Sequence, residues 1–192
     1  IRVGHVEAGL RSGNVYSPYP EEMNRKLTGN LATLHFAPTK GNYENLIKEG
    51  VKAENIFITG NTVIDALLQV VKKDYTFDNQ LLNEIDYETR KVIVMTCHRR
   101  ENWGQPMENI FQAVVKVVED HRDVEVVFPV HLNPKIRDLA EKIMGKVSRI
   151  HLIEPLDYEP FVNLISRAHL ILTDSGGIQE EAPSLGKPVI VL

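Results

Sequence analysis

The residues with the clearest chemical potential follow an apolar run at positions 168–172, which predicts a buried strand. The turn Asp174-Ser175-Gly176-Gly177 comes next and leads into a short helical pattern. Its glycines allow a ligand close to the backbone, and free N–H groups of a first helical turn suit a phosphate. A carboxylate one turn later, at Glu180 or Glu181, can accept hydrogen bonds from ribose hydroxyls. The spacing predicts a nucleotide diphosphate site, although a plain Gly-rich turn with solvated glutamates fits it equally well.

A second candidate site lies near the start of the chain. Glu7 stands at the carboxyl end of a predicted strand, where parallel sheets bind ligands, so it is a candidate site residue. Further along, Glu21 and Glu22 open a predicted helix just after Pro20. Complementation of the helix dipole is the simpler explanation of this pair when it is considered alone. A purely structural explanation is weaker for Glu7, because a carboxylate at the buried end of a strand needs a reason.

Two histidines also follow predicted strands. His98 is flanked by Arg99 and Arg100, a combination that suits phosphate charge and proton transfer. A structural hydrogen bond would better explain a lone histidine, but the arginines and the strand end favour function. For His131, function and structure remain equally good explanations. The neighbouring Asn133 and Pro134 are explained by capping of the next helix.

A fourth strand end carries Asp157, which predicts a helix N-cap, and Phe161, which suits either the core or a contact with a base ring. The sequence has no P-loop, no zinc-spaced Cys/His pattern and no Gly-x-Ser-x-Gly elbow. Its acidic residues are not spaced as in an EF-hand. No metal site is therefore expected.

These candidates depend on an alternation of strands and helices. Apolar, β-branched runs predict strands over residues 2–6, 34–37, 55–58, 91–95, 124–128, 149–152, 169–172 and 189–192. Helical patterns cover residues 21–33, 40–49, 63–72, 107–120, 134–144, 158–167 and 177–185. Several strands are continuous apolar runs, which is typical of parallel strands covered on both faces. The order predicts an α/β protein with parallel sheets.

The stretch at 72–90 is polar and has the least clear periodicity, so a linker is expected over residues 71–90, between domains at 1–70 and 91–192. Both ends of the chain resemble sheet strands, whereas termini usually lie in surface segments. We therefore expect these residues to be part of a longer polypeptide.

Composition limits the partners. The 192 residues are 43% hydrophobic and 25% charged with a net charge of −4, which predicts no general attraction to nucleic acid or anionic membrane. No apolar run approaches the roughly 20 residues that span a bilayer. The single cysteine, Cys97, excludes an internal disulfide and fits a reducing compartment, so a cytoplasmic location is expected.

Taken together and in order, the motifs closely resemble those of the non-hydrolysing UDP-N-acetylglucosamine 2-epimerases. The matching segments are residues 5–11, 17–25, 57–65, 98–102, 129–134 and 174–183. The resemblance implies two Rossmann-like domains facing a cleft, as in GT-B glycosyltransferases. Residues 1–70 would be the second half of the N-terminal domain and residues 91–192 most of the UDP-binding C-terminal domain, both incomplete.

The activity implied by the resemblance is reversible epimerisation of UDP-GlcNAc to UDP-ManNAc at C2, through UDP elimination, a 2-acetamidoglucal intermediate and UDP re-addition. Glu7 and Glu21 match the carboxylates that act on the sugar, and Glu21 is preferred to Glu22 by motif position alone. His98 would contact the diphosphate or assist proton transfer. No metal or redox cofactor is implied.

The resemblance also implies the substrate-binding residues. Ser175, Gly176 and Gly177 would hold the diphosphate. Glu181 would hold the ribose. Leu156, through its backbone, and Phe161 would line the uracil pocket. Arg99 and His131 match positions linked to a second UDP-GlcNAc site that activates bacterial members. The full-length family members are usually homodimers.

Alternatives remain open. A GT-B glycosyltransferase acting on a UDP-sugar would share the Ser-Gly-Gly turn and Glu181, but would have no need of Glu7 and Glu21. A hydrolysing 2-epimerase would release free ManNAc, and a binding module would show no turnover. Because half the expected cleft lies outside residues 1–192, this piece is expected to be inactive alone.

Overall fold

The predicted alternation of strands and helices is present in the structure. A computed structural model of the chain describes residues 1–16 and 19–192. Its strands are β1 (Gly4–Val6), β2 (Leu34–Ala37), β3 (Ile56–Ile58), β4 (Lys91–Thr96), β5 (Val124–Pro129), β6 (Ile150–Ile153), β7 (Leu170–Thr173) and β8 (Val189–Val191). Its helices are α1 (Glu21–Leu31), α2 (Lys40–Lys48), α3 (Thr62–Val70), α4 (Gln80–Glu84), α5 (Gln105–Asp120), α6 (Pro134–Met144), α7 (Tyr158–Arg167) and α8 (Gly176–Ser184). None of these helices is long and apolar enough to cross a bilayer.

The chain divides into a first unit, Ile1–Asp65, and a second unit, Ala66–Leu192. The sheet of the first unit has the order β1-β2-β3 with all strands parallel. The turn after β1 packs tightly on α2, because a Cβ at Gly9 would lie 2.2 Å from the carbonyl oxygen of Asn42. Gly9 also has a φ of +85°, so this position requires glycine for two independent reasons.

The second unit contains a five-stranded parallel sheet in the order β6-β5-β4-β7-β8. Alternate residues of β4 enter different cores: Ile93 and Met95 pack with α5 and α6, whereas Val92 and Val94 pack with α7 and α8. The sheet is therefore covered on both faces, as the continuous apolar runs predicted. The α/β class with parallel sheets is confirmed.

The interval 71–90, for which the sequence predicted a linker, packs on the second unit. Phe77, Leu82 and Ile85 are buried in the core beneath α7 and α8. The Arg167 guanidinium lies 5.0 Å from the centroid of the Phe77 ring. The division between the units falls between residues 65 and 66, within α3. Helix α4 has only five residues, too few for a helical period to be recognised, so the sequence pattern did not reveal this packing.

Leu82 tests whether residues 71–90 belong to the second unit. We expect Leu82→Ala to lower the free energy of unfolding by about 2–5 kcal/mol, because it removes a fully buried side chain and leaves a cavity. Gln80→Ala, an exposed change on the same helix, should have an effect within about 0.5 kcal/mol. Urea unfolding measures the free energy of unfolding of both variants. Equal losses would instead support a linker over residues 71–90.

Candidate functional site

One cleft of the second unit lies at a reversal of strand order. The chain passes from β4 outward to β5 and β6, then returns to β7 on the other side of β4. Such a switch point leaves a crevice at the carboxyl ends of the strands. A cleft of about 310 Å³ occupies this position. It brings together predicted site residues that follow four different strands, namely His98, His131, Leu156, Phe161 and Ser175.

The two loops at the switch point are joined by Asp174, whose side chain is almost completely buried. Its Oδ2 accepts hydrogen bonds from the backbone N–H groups of His98 (2.8 Å) and Arg99 (2.7 Å) and from Nδ2 of Asn102 (3.2 Å). Its Oδ1 lies 3.0 Å from Nδ1 of His98. Sequence reasoning placed Asp174 in the phosphate turn but assigned it no role. The available signal was an acidic residue directly after a buried strand.

The ends of β4 and β7 are also linked by hydroxyl groups. The Oγ1 atoms of Thr96 and Thr173 lie 2.6 Å apart, and Thr173 Oγ1 accepts a hydrogen bond from the backbone N–H of Ser175 (3.0 Å). These contacts fix the entry into α8. Ser175 is the N-cap of α8, but its hydroxyl makes no capping bond to the helix. The N–H groups of the first turn are thus open to a ligand.

Little side-chain bulk covers the first turn of α8, because Gly176 and Gly177 are exposed there. The guanidinium of Arg99 lies 3.5 Å from the point that a Cβ of Gly176 would occupy. A positive charge and unpaired N–H donors therefore converge beside the two glycines. This arrangement suits a phosphate or diphosphate group.

An apolar wall and a buried carboxylate lie nearby. Leu156 and Phe161 are partly buried and line the cleft with Ile178. Glu181 is 9% exposed, and its pKa is raised by burial and, secondarily, by the charge of Glu180. Within the described residues, no hydrogen-bond donor satisfies the Glu181 carboxylate. Its acceptor capacity is available for the hydroxyl groups of a ligand.

His131 lies beside His98, with ring centroids 5.9 Å apart and planes 11° from parallel. The backbone N–H of Asn133 donates to Nδ1 of His131 (3.1 Å), which occupies one ring nitrogen. Asn133 also caps α6 by accepting from the backbone N–H of Lys135 (3.0 Å), which confirms the predicted cap. Asp157 stands at the N-cap of α7 as predicted, but its side chain forms no capping bond.

Cys97 lines the cleft without being a candidate nucleophile. Burial, followed by the nearby charge of Asp174, raises the pKa of its thiol to about 12. A thiol in this setting stays protonated at neutral pH, and the thiolate is the reactive form.

In the first unit, Glu7 follows β1 with a φ of 60°, and it is the one non-glycine residue at positive φ in the ranges that the structure describes. This left-handed backbone costs an L-residue such as glutamate about 1 kcal/mol or more. The next residue is fixed, because the N–H of Ala8 donates to the carbonyl oxygen of Phe36 (3.0 Å). Strained positions held by their surroundings concentrate at functional sites.

Glu21 and Glu22 have different environments. Glu22 is fully buried, and its carboxylate accepts from the backbone N–H groups of Ser12 (3.1 Å) and Gly13 (3.3 Å). It thereby ties the loop after β1 to the start of α1. Glu21 is exposed and leaves its carboxylate open. Ser17 and Pro18, which begin this sequence motif, lie outside the described residues.

Comparison with known proteins gives a family match over the whole chain. The family model described as UDP-N-acetylglucosamine 2-epimerase matches residues 1–192. UDP-N-acetylglucosamine 2-epimerase of Bacillus subtilis is 56% identical over 192 residues, which cover 100% of this chain and 50% of that protein. The chain thus spans about half the length of the curated relatives it matches.

Solved structures show the same fold. The UDP co-structure of MnaA from S. aureus matches with a TM-score of 0.92 and 53% identity, covering 100% of this chain and 52% of that one. The UDP-GlcNAc 2-epimerase of Neisseria meningitidis bound to UDP-GlcNAc matches with a TM-score of 0.88 and 47% identity, covering 100% and 53%. The predicted GT-B-like class of α/β fold is confirmed.

The adjacent pair Glu21 and Glu22 allows a matched test of structural role. We expect Glu22→Ala to lower the free energy of unfolding by about 1–3 kcal/mol, because two backbone N–H groups lose their acceptor. Glu21→Ala should change it by less than about 0.5 kcal/mol. Urea unfolding of both variants checks this, and a larger loss in Glu21→Ala would contradict the assignment.

Proposed function

The chain belongs to the UDP-N-acetylglucosamine 2-epimerase family, and we propose that it is about half of an enzyme that interconverts UDP-GlcNAc and UDP-ManNAc. The observation that carries this proposal is the cleft at the carboxyl ends of β4 and β7, with open helix N–H groups, Arg99 and the unsatisfied Glu181 carboxylate around it. Related proteins have been solved with UDP and UDP-GlcNAc bound.

We assign the UDP-binding domain to the second unit and the catalytic carboxylates to the first, which belongs to the N-terminal domain. The contacts of residues 71–90 support a UDP-binding domain that begins near Ala66. Ser175, Gly176 and Gly177 hold the diphosphate at the N-terminus of α8. Glu181 accepts hydrogen bonds from the ribose hydroxyls.

The uracil ring packs on the apolar wall of the cleft. Phe161 is partly buried and still lines the cleft, so one face of its ring can contact a base. The backbone of Leu156 supplies hydrogen-bonding groups at the edge of the base. The apolar contact with Phe161 contributes affinity, and the backbone groups of Leu156 contribute recognition of the base.

The chemical step is an elimination followed by re-addition. Cleavage of the C1–O bond leaves its electron pair on UDP and builds positive charge at C1, which acidifies the proton on C2. A carboxylate removes this proton, and the C–H pair becomes the C1=C2 double bond of 2-acetamidoglucal. The second carboxylate then protonates C2 from the opposite face as a UDP oxygen rejoins C1. Both steps require carboxylates on the two faces of the sugar.

Glu7 and Glu21 are the proposed carboxylates. The strained backbone at Glu7 supports a functional role, and the exposure of Glu21 leaves its carboxylate available. Glu22 is already engaged by two backbone N–H groups. His98 and Arg99 meet the negative charge of the diphosphate as the bond to C1 breaks.

Regulation and assembly follow the family resemblance. His131 stacks on His98 and Arg99 lies beside Gly176, which supports a second, activating UDP-GlcNAc next to the first. A homodimer and a cytoplasmic location complete the proposal. Residues 1–192 alone are expected to lack turnover.

The reaction is tested by incubating the complete protein with UDP-GlcNAc in deuterated water. We expect deuterium at C2 and formation of UDP-ManNAc, because re-protonation draws on solvent. Glu7→Gln should lower kcat about a hundredfold or more and leave UDP affinity nearly unchanged. Glu44→Gln, an exposed change on α2, is the matched control.

The alternatives give different products in the same NMR assay. Free ManNAc with UDP would indicate a hydrolysing epimerase. Absence of both deuterium and UDP-ManNAc would exclude the epimerase proposal and return the glycosyltransferase to consideration. Loss of UDP binding together with turnover in Glu7→Gln would indicate a structural role for Glu7.

The neighbours Glu180 and Glu181 test the ribose contact. We expect Glu181→Ala to weaken UDP binding by about tenfold to a hundredfold, the usual effect of losing hydrogen bonds to a charged group, and Glu180→Ala to change it by less than about threefold. Calorimetry with UDP and its 2′-deoxy analogue shows whether the loss of affinity comes from the contact with the ribose hydroxyls. The wild type should discriminate between these ligands, and Glu181→Ala should not.

The same contact predicts a pH dependence. Only the ionised Glu181 carboxylate accepts from both hydroxyls, and burial raises its pKa above the ordinary value of 4.5. The affinity for UDP-GlcNAc should therefore be full at neutral pH and decline, as the pH is lowered, at a higher pH than an ordinary glutamate would give. The Glu181→Ala variant should lack this decline.

A further inference from the structure

One buried carboxylate at the site, that of Asp174, has no role in the proposed reaction. Asp174 is 1% exposed and follows β7 directly at the switch point. It lies under the loop that carries His98, and it does not line the cleft itself. A buried carboxylate is costly unless donors surround it, so the identity of its donors indicates its role.

One oxygen of Asp174 is fully occupied. Oδ2 accepts two backbone N–H groups, from His98 and Arg99, and the side-chain amide of Asn102. These three bonds fix the backbone from which the His98 side chain leaves.

The other oxygen is directed at the imidazole. Oδ1 is buried and accepts no well-aligned hydrogen bond, yet Nδ1 of His98 lies 3.0 Å from it. A small rotation of the ring would align this contact. The neighbouring Cys97 thiol, which burial and the Asp174 charge keep protonated, is a weaker donor beside the same carboxylate.

Only one tautomer of His98 fits this environment. A neutral imidazole carries hydrogen on one nitrogen and a lone pair on the other, and an ionised carboxylate can only accept. If Nδ1 carried the lone pair, two acceptors would face each other at 3.0 Å, with the buried Oδ1 of Asp174 left without a donor. Hydrogen on Nδ1 removes this repulsion and satisfies Oδ1. Nε2 is then the nitrogen left for the cleft.

We propose that Asp174 is a positioning residue that keeps hydrogen on Nδ1 of His98 and directs Nε2 to the ligand in the cleft, where Nε2 can take up a proton and, as the imidazolium, donate to the diphosphate. Its relevance to turnover rests on the function proposed above, in which His98 meets the diphosphate. Without Asp174, the ring would be free to turn and to exchange tautomers. The hydrogen bond made by one nitrogen of a histidine commonly sets the role of the other.

His131 does not supply this constraint. Its ring lies parallel to that of His98, with centroids 5.9 Å apart, so the two histidines contact through their faces. Its Nδ1 is already occupied by the backbone N–H of Asn133. The direction of the His98 ring nitrogens is therefore set by Asp174.

The test is Asp174→Asn in the complete protein labelled with 15N-histidine. The single amide oxygen of asparagine is expected to retain the backbone N–H groups of residues 98 and 99, which turns its NH2 group towards Nδ1 of His98. Long-range 1H–15N spectra at alkaline pH, where imidazoles are neutral, report which nitrogen carries hydrogen. His98→Gln assigns the signal. We expect Nδ1–H in the wild type and Nε2–H in the variant.

Kinetics distinguish positioning from a purely structural role. We expect kcat of Asp174→Asn to fall about a hundredfold or more with KM for UDP-GlcNAc within about threefold, as when an amide imposes the wrong tautomer on a catalytic histidine. Asp138→Asn, an exposed change on α6, should alter neither value.

Each contrary result overturns the proposal. An unprotonated Nδ1 in the wild type would overturn it, even if Asp174→Asn fails to fold. In a folded Asp174→Asn variant, an unchanged His98 tautomer or an unchanged kcat would also overturn it. A rise in KM at constant kcat would show that Asp174 only shapes the binding loop. If the wild type does not turn over UDP-GlcNAc, the proposed function fails, while the spectra still decide the tautomer.

Discussion

The buried carboxylate of Asp174 is the contact on which the geometry of the candidate site depends most. It joins the loop after β4 to the end of β7, two strands whose order in the sheet creates the cleft. The hydroxyl pair of Thr96 and Thr173 reinforces the same junction. Because α8 begins two residues after Asp174, at Gly176, one set of contacts places both the histidine loop and the helix N-terminus.

The packing of the sheet explains why the site lies at strand ends. Residues of β4 alternate between two cores, so neither face of the sheet is available for a ligand. Polar groups are then accommodated where strands stop and loops begin. The first unit follows the same rule at Glu7, where the strained backbone is secured by the bond of Ala8 and by the close approach of Gly9 to α2.

Two pairs of adjacent glutamates show how helix geometry separates neighbours. In α1, Glu22 is buried and bonded to a loop while Glu21 is exposed. In α8, Glu181 is buried while Glu180 is exposed. Successive residues of a helix point in different directions, so identical side chains side by side acquire different environments. The pattern of charges alone could not assign these roles.

The sequence by itself determined the alternation of elements, the α/β class, the cap at Asn133 and the family, because these depend on local periodicity and on motifs within short segments. Only the tertiary structure decided the strand order, the packing of Phe77 and Leu82, the burial of Glu22 and the contacts of Asp174. Each of these depends on partners distant along the chain; His98 and Asp174, for example, are 76 residues apart. Such pairings arise from the folding of the whole sheet, and no local pattern of residues records them.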